Sequence, residues 1–161
     1  MKTVIVGCGR VGAAVAEACD RAGHEVIIID KSTLAFDKLH DSFRGTALRG
    51  DGTDEDTLRR AGAEGADLFL ALTEGDNRNI LAAQLASERF DIKTVVAKIN
   101  DPVRAEAYSS LGLATICRTS IMTEALSGFL GLGYDKSVMK VQAPTGHHDH
   151  GEQLAATATE D

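Results

Sequence analysis

Tryptophan is absent from this 161-residue chain, and Tyr and Phe together bring the aromatic content to only 4%. So few rings leave little for unpaired bases to stack on, which excludes a binder of single-stranded nucleic acid. A basic excess is missing too: 17 Lys and Arg stand against 24 Asp and Glu, a formal net charge of −7. General affinity for nucleic acid or anionic lipid needs a basic field. Neither partner is expected, although a local basic pocket is compatible with the total. No apolar run approaches the roughly 18 residues of a membrane span, and the opening MKTVIVGCG runs straight into a strand without a signal-peptide layout. A cytoplasmic protein without direct membrane insertion is expected. Cys8, Cys19 and Cys117 are odd in number and form no CxxC pair, so neither a disulfide framework nor a zinc site is encoded. Buried, reduced thiols are the expectation.

What is present is a repeated alternation. With 43% hydrophobic residues the chain is long enough for one well-buried domain and short for two. Short β-branched runs at 3–7, 25–30, 46–51, 66–73, 93–100 and 113–119 alternate with stretches at 10–22, 32–43, 54–62, 76–90 and 101–111. Each stretch has room for a crossover helix, and continuous apolar strands fit a parallel sheet buried on both faces. Ser32, Asp54, Asp76 and Asp101 suit N-cap positions, and Pro102 suits a first helical position. The pattern predicts an α/β domain over residues 1–135: a Rossmann-like, doubly wound, six-stranded parallel sheet with right-handed crossovers. A last helix at 119–134 carries Ile121, Met122, Ala125, Leu126 and Phe129 on one face, which the sheet or another subunit must cover. Residues 136–161 read as a short linker or strand, SVMKV at 137–141, followed by a polar, flexible tail. HHDH at 147–150 has a metal-like composition but no rigid scaffold, so no metal site is expected.

Chemistry concentrates where strands meet helices. Gly7, Gly9 and Gly12, with Cys8, Arg10 and Val11 between them, form G-x-G-x-x-G directly after the first strand. The first glycine permits a tight turn, the second a close approach of backbone to pyrophosphate, and the third helix–strand packing. Phosphate oxygens would meet the free N–H groups and positive dipole end of the following helix. Asp30 ends the second strand 18 residues beyond Gly12, near the spacing at which an acid accepts hydrogen bonds from a ribose diol. Its carboxylate would repel a 2'-phosphate, so NADP is not expected, with Lys31 the one neighbour that softens this. NAD(H), ATP and ADP all present the same adenosine diol and stay open. In the turn after the third strand, Asp51, Gly52 and Thr53 either face an adenine amino group or form a polar loop. Thr73, Asp76 and Asn77 follow the fourth strand, where strand order reverses and ligands lie; Asp76 is alternatively an N-cap. Lys98 and Asn100 end the fifth strand, and Lys98 on an apolar sheet favours a role in offsetting phosphate charge. Arg10 is the other basic candidate, directed away from its own turn. His24 and His40 read as surface residues.

Taken together, VIVGCGRVGAAVA, IIID, LRGDGTDEDTLRRAGAEGADLFLALTEGDNRNILAAQLA and AKINDPVRAEAYSSLGLATICRTSIMTEAL resemble the RCK N-terminal, or TrkA-N, family of regulators of bacterial potassium uptake. The resemblance covers residues 1 to about 135. It implies a domain that binds NAD(H) or adenine nucleotides and assembles as homodimers within larger rings beneath an integral-membrane potassium channel or transporter. It further implies that Gly7, Gly9 and Gly12 hold phosphate, Asp30 ribose and Asp51 the adenine side. Arg10 resembles an arginine found close to phosphates, sometimes across an interface, and the helix at 119–131 a crossover helix through which neighbours exchange contacts. Members usually continue into a second, C-terminal ligand-binding domain, and residues 136–161 do not resemble a complete one. A dehydrogenase of this layout needs a substrate pocket and a proton donor or acceptor near the nicotinamide, usually from a following domain. A regulatory nucleotide-binding subunit, not an enzyme, is therefore the expected function. The alternatives are a small NAD-dependent oxidoreductase using Lys98 or Asn100, and an assembly module with a structural nucleotide.

Overall fold

Six short strands pair side by side, and the central ones carry β-branched or leucine-rich runs that cannot be left in water. In the computed structural model, which describes residues 1–133, they are β1 (Lys2–Val6), β2 (Glu25–Asp30), β3 (Thr46–Arg49), β4 (Leu68–Ala71), β5 (Thr94–Lys98) and β6 (Ala114–Ile116). All pairings are parallel and the order is β3-β2-β1-β4-β5-β6. That is the doubly wound, Rossmann-like arrangement, with its reversal between β1 and β4.

Register places like with like. Val4, Ile5 and Val6 of β1 stand opposite Ile27, Ile28 and Ile29 of β2, so alternate side chains form rows on the two faces. Ile5, Val26 and Ile28 pack under α1 (Arg10–Arg21), through Ala13 and Ala16. Val4, Val6, Ile27, Ile29 and Phe69 form the larger core on the other face. Leu58 of α2 (Glu55–Arg60), Ala82, Ala83 and Ala86 of α3 (Asp76–Glu88) and Ala105 of α4 (Pro102–Ser110) close over it. β3 is an edge strand, with three of its four residues exposed.

Several elements differ from expectation. The stretch at 32–43 is not an α-helix but a 3₁₀ turn, Thr33–Lys38. Side chains claim the amides that would extend it: His40 N–H donates to Glu17 Oε1 at 2.8 Å and Ser42 N–H to the His40 ring at 3.1 Å. Ala35, Phe36, Leu39 and Phe43 still pack against the α1 side. Asp54 and Asp101 cap α2 and α4, and Pro102 opens α4. Ser32 makes no side-chain cap bond, and the N-cap of α3 is Gly75 rather than Asp76. The last helix, α5 (Arg118–Phe129), begins one residue earlier than the expected 119–134, ends at Phe129 with residues 130–133 outside the helix, and buries only Ser120. The run at 137–141, the polar tail and the histidines at 147–150 lie outside the described residues.

Candidate functional site

Because all strands run the same way, their carboxyl ends open along one edge, and a cavity of about 570 Å³ lies there at the β1/β4 reversal. The turn after β1 forms its floor. Gly7 has φ +103, a conformation that L side chains rarely adopt, and a Cβ there would stand 2.8 Å from the Thr73 amide nitrogen. Gly12, buried on α1, packs directly on the Gly7 carbonyl, where a Cβ would collide. A Cβ on Gly9 meets nothing within 4 Å. The turn is therefore compact beneath and open above, a cradle that fits a phosphate group.

Donors face that opening. The first α1 bond runs from Ala13 N–H to Gly9 O at 2.9 Å, so the amides of Arg10, Val11 and Gly12 precede the helical ladder. The N-terminal dipole of a 12-residue helix adds partial positive charge. Asp30 closes the adjacent side: its Oδ2 accepts from Cys8 N–H at 2.8 Å and its Oδ1 from Ser32 N–H at 2.9 Å. Burial first, then the Asp30 charge, pushes the Cys8 thiol above its ordinary pKa, so Cys8 is a poor nucleophile at neutral pH.

Beside Asp30, just past the end of β3, Asp51 Oδ1 accepts from Thr53 N–H at 3.0 Å and Thr53 Oγ1–H at 2.7 Å. Its Oδ2 pairs with Lys31 Nζ at 2.8 Å. Desolvation raises the Asp51 carboxyl, but the bonds from Lys31 and Thr53 and the Lys31 charge outweigh it and hold it at about 2. Gly52, between the two, packs on Val6 with no room for a side chain.

The cavity's charge is opposite to the molecule's. Arg10, Lys31, Lys38, Arg78, Lys98 and Arg118 line it against Asp30, Asp51 and Glu74, an excess of three cations in a chain of net charge −7. Among the described residues Arg10, Arg78, Lys98 and Arg118 have no carboxylate at ion-pair distance. Lys98 is only 7% exposed. Such a cluster repels itself unless anions enter.

Of the expected site residues, Gly7, Cys8, Gly9, Arg10, Val11, Asp30, Lys31, Asp51, Gly52, Thr53, Thr73 and Lys98 line this one cavity. Gly12 supports it from below. Asp76 and Asn77 do not line it. Asp76 accepts from Asn100 N–H and Nδ2–H, both at 2.9 Å, and from Asp101 N–H at 3.1 Å. Burial opposes, but these bonds outweigh it and keep the Asp76 carboxyl below its ordinary range. Asn77 Oδ1 accepts from the Arg104 guanidinium. Asn100 is thereby engaged with Asp76 and lies off the cavity as well.

Lys38, Glu74, Arg78 and Arg118, which no motif marks in the sequence, reach the cavity from the 3₁₀ turn, the β4–α3 turn, α3 and α5. Asn79, fully buried, is a further residue that no motif marks. Asn79 Oδ1 accepts from Thr73 N–H at 2.8 Å and Thr73 Oγ1–H at 2.7 Å, while its Nδ2 donates to Thr73 O at 3.0 Å and Lys98 O at 2.8 Å. One amide thus ties the ends of β4 and β5 together. An asparagine one turn into a helix was the available signal.

Known proteins share this sequence and fold. The TrkA-N domain profile matches residues 3–119. The Trk system potassium uptake protein TrkA of Streptomyces coelicolor is 49% identical over 116 residues, 72% of this chain and 52% of that protein. A TrkA homolog of Pyrococcus abyssi is 32% identical over 111 residues, 69% of this chain and 49% of that protein. The chain thus spans about half the length of these two relatives. Among solved structures, GsuK bound to ADP superposes with a TM-score of 0.68 at 25% identity, covering 80% of this chain and 33% of that one.

Proposed function

The chain belongs to the TrkA-N domain family, and from that premise we propose that it is a nucleotide-binding regulatory subunit of bacterial potassium uptake, not an enzyme. The observation that carries the reading is the single cavity that gathers the open glycine turn, Asp30, Asp51 and a surplus of cations. The amides of the turn and the α1 dipole take the diphosphate, Asp30 the ribose hydroxyls, and Asp51 and Thr53 the adenine side. Thr73, Lys98 and Arg10 complete the lining, with Lys98 and Arg10 offsetting phosphate charge. Asp76 and Asn77 act indirectly, by fixing the start of α3.

The ligand is NAD(H) or an adenine nucleotide such as ATP or ADP. NADP is excluded by the charge of Asp30. The ADP-bound relative supports the adenine class. Binding regulates by favouring one of two arrangements of a homodimer or larger ring docked on an integral-membrane potassium channel or transporter, and this requires unequal affinities for the two. The potassium-uptake names of the relatives support the partner. Among the described residues no helix is long and apolar enough to cross a membrane. A cytoplasmic position against the membrane partner follows from the same reading.

Calorimetric titration of the full chain with ADP, ATP and NADH tests it. We expect micromolar affinity for at least one, weakened about tenfold or more by Asp30→Ala through loss of charge-assisted hydrogen bonds. Unchanged affinity in a folded Asp30→Ala variant overturns the ribose assignment. NADH turnover on a carbonyl substrate, abolished by Lys98→Ala, replaces the regulator with an oxidoreductase.

A further inference from the structure

The sequence sets two opposite charges side by side at the ribose position. Asp30 repels a 2'-phosphate, yet Lys31, the next residue, carries an ammonium on a flexible arm of the kind that can hold one. Which of them governs depends on where the ammonium goes. In the structure it goes to Asp51: Lys31 Nζ lies 2.8 Å from Asp51 Oδ2. Asp51 is itself immobilised, because its other oxygen accepts both Thr53 bonds, at 3.0 and 2.7 Å. The two carboxylate oxygens therefore have separate tasks, one building the turn after β3 and one occupying Lys31.

The pair contributes little to folding. Its side chains are 55% and 39% exposed, and exposed ion pairs are weak. Its effect falls on the site, since both residues line the cavity beside Asp30. Arg49, the other cation at this edge, donates to the Lys31 carbonyl at 3.4 Å and does not line the cavity. Lys38 does line it, with a long contact of 3.5 Å to Ala35 O.

We propose that Asp51 is a positioning residue for nucleotide selectivity: by engaging Lys31 it keeps that ammonium from a 2'-phosphate, so the site selects adenosine nucleotides with a free 2'-hydroxyl. The inference rests on the reading that Asp30 faces the ribose. It assigns to Asp51 a task performed through Lys31, separate from any contact with the base.

The test uses the full chain with AMP and adenosine 2',5'-bisphosphate, which differ only in the 2'-phosphate, each followed by two-dimensional NMR titration. Asp51→Asn keeps an oxygen for the Thr53 amide and removes the charge that holds Lys31. Its affinity for the bisphosphate relative to AMP is expected to rise about fivefold or more over wild type. In the Lys31→Met/Asp51→Asn double variant that gain is expected to vanish, which a merely structural role of Asp51, or simple loss of its repulsion, does not produce. An unchanged ratio in Asp51→Asn, or a gain that persists in the double variant, overturns the proposal. Lys31→Met alone supplies a measurement should Asp51→Asn not fold: a fall in the ratio means Lys31 already serves the phosphate in the wild type and overturns it, and no fall supports it. Failure of the wild type to bind AMP, ADP or NAD is a different result, and it removes the site reading itself.

Discussion

Gly9 and Gly12 separate stability from binding at single-residue resolution. A methyl at Gly12 collides with the Gly7 carbonyl, whereas one at Gly9 meets nothing within 4 Å. Gly12→Ala should therefore cost about 3 kcal/mol or more, because backbone cannot yield as a flexible side chain can. Gly9→Ala should cost within about 1 kcal/mol, the scale of an N-cap change, yet weaken nucleotide binding by filling the cradle. Chemical denaturation and calorimetry on both variants check this: equal destabilisation would show that Gly9 is needed for folding as Gly12 is, and unchanged nucleotide affinity in Gly9→Ala would show that the open space above it has no role in binding. The glycine triplet was readable because each position answers a local demand of a strand–turn–helix. Lys31 was not, since its meaning depends on Asp51, which lies 20 positions away and comes beside it only through the β2–β3 pairing.

At the level of elements, the β4–α3 turn hangs on one buried amide. Asn79→Ala strands the Thr73 amide and the Lys98 carbonyl without partners, and should cost about 3 kcal/mol or more. Thermal unfolding of the variant reads that loss, and a change below about 1 kcal/mol would mean that water replaces the amide. Strands β1 and β2 were plain in the sequence, being apolar on both faces. The 3₁₀ turn at Thr33–Lys38 was not, because Glu17, a residue of another element, takes the His40 amide. Asp76 shows the same limit. Its position suggested either a residue lining the crevice or an N-cap, but Gly75 is the cap and three donors from the β5–α4 connection hold Asp76 off the cavity.

For the whole molecule, α5 leaves an apolar face open: Ile121, Met122, Leu126 and Phe129 are 45%, 57%, 54% and 88% exposed. The homodimer proposed above would need such a face. Sedimentation of the full chain should show self-association that Leu126→Glu reverses, and a wild type that stays monomeric at all concentrations removes the homodimer from the reading. The strand order carries a further consequence. β1 sits between β2 and β4, so one of its edges stays bare until residues 68–71 have been synthesised, and no hairpin offers a shortcut. During translation Val4, Ile5 and Val6 thus keep one unpaired edge until β4 follows, the kind of exposed ladder on which incomplete chains stick to one another.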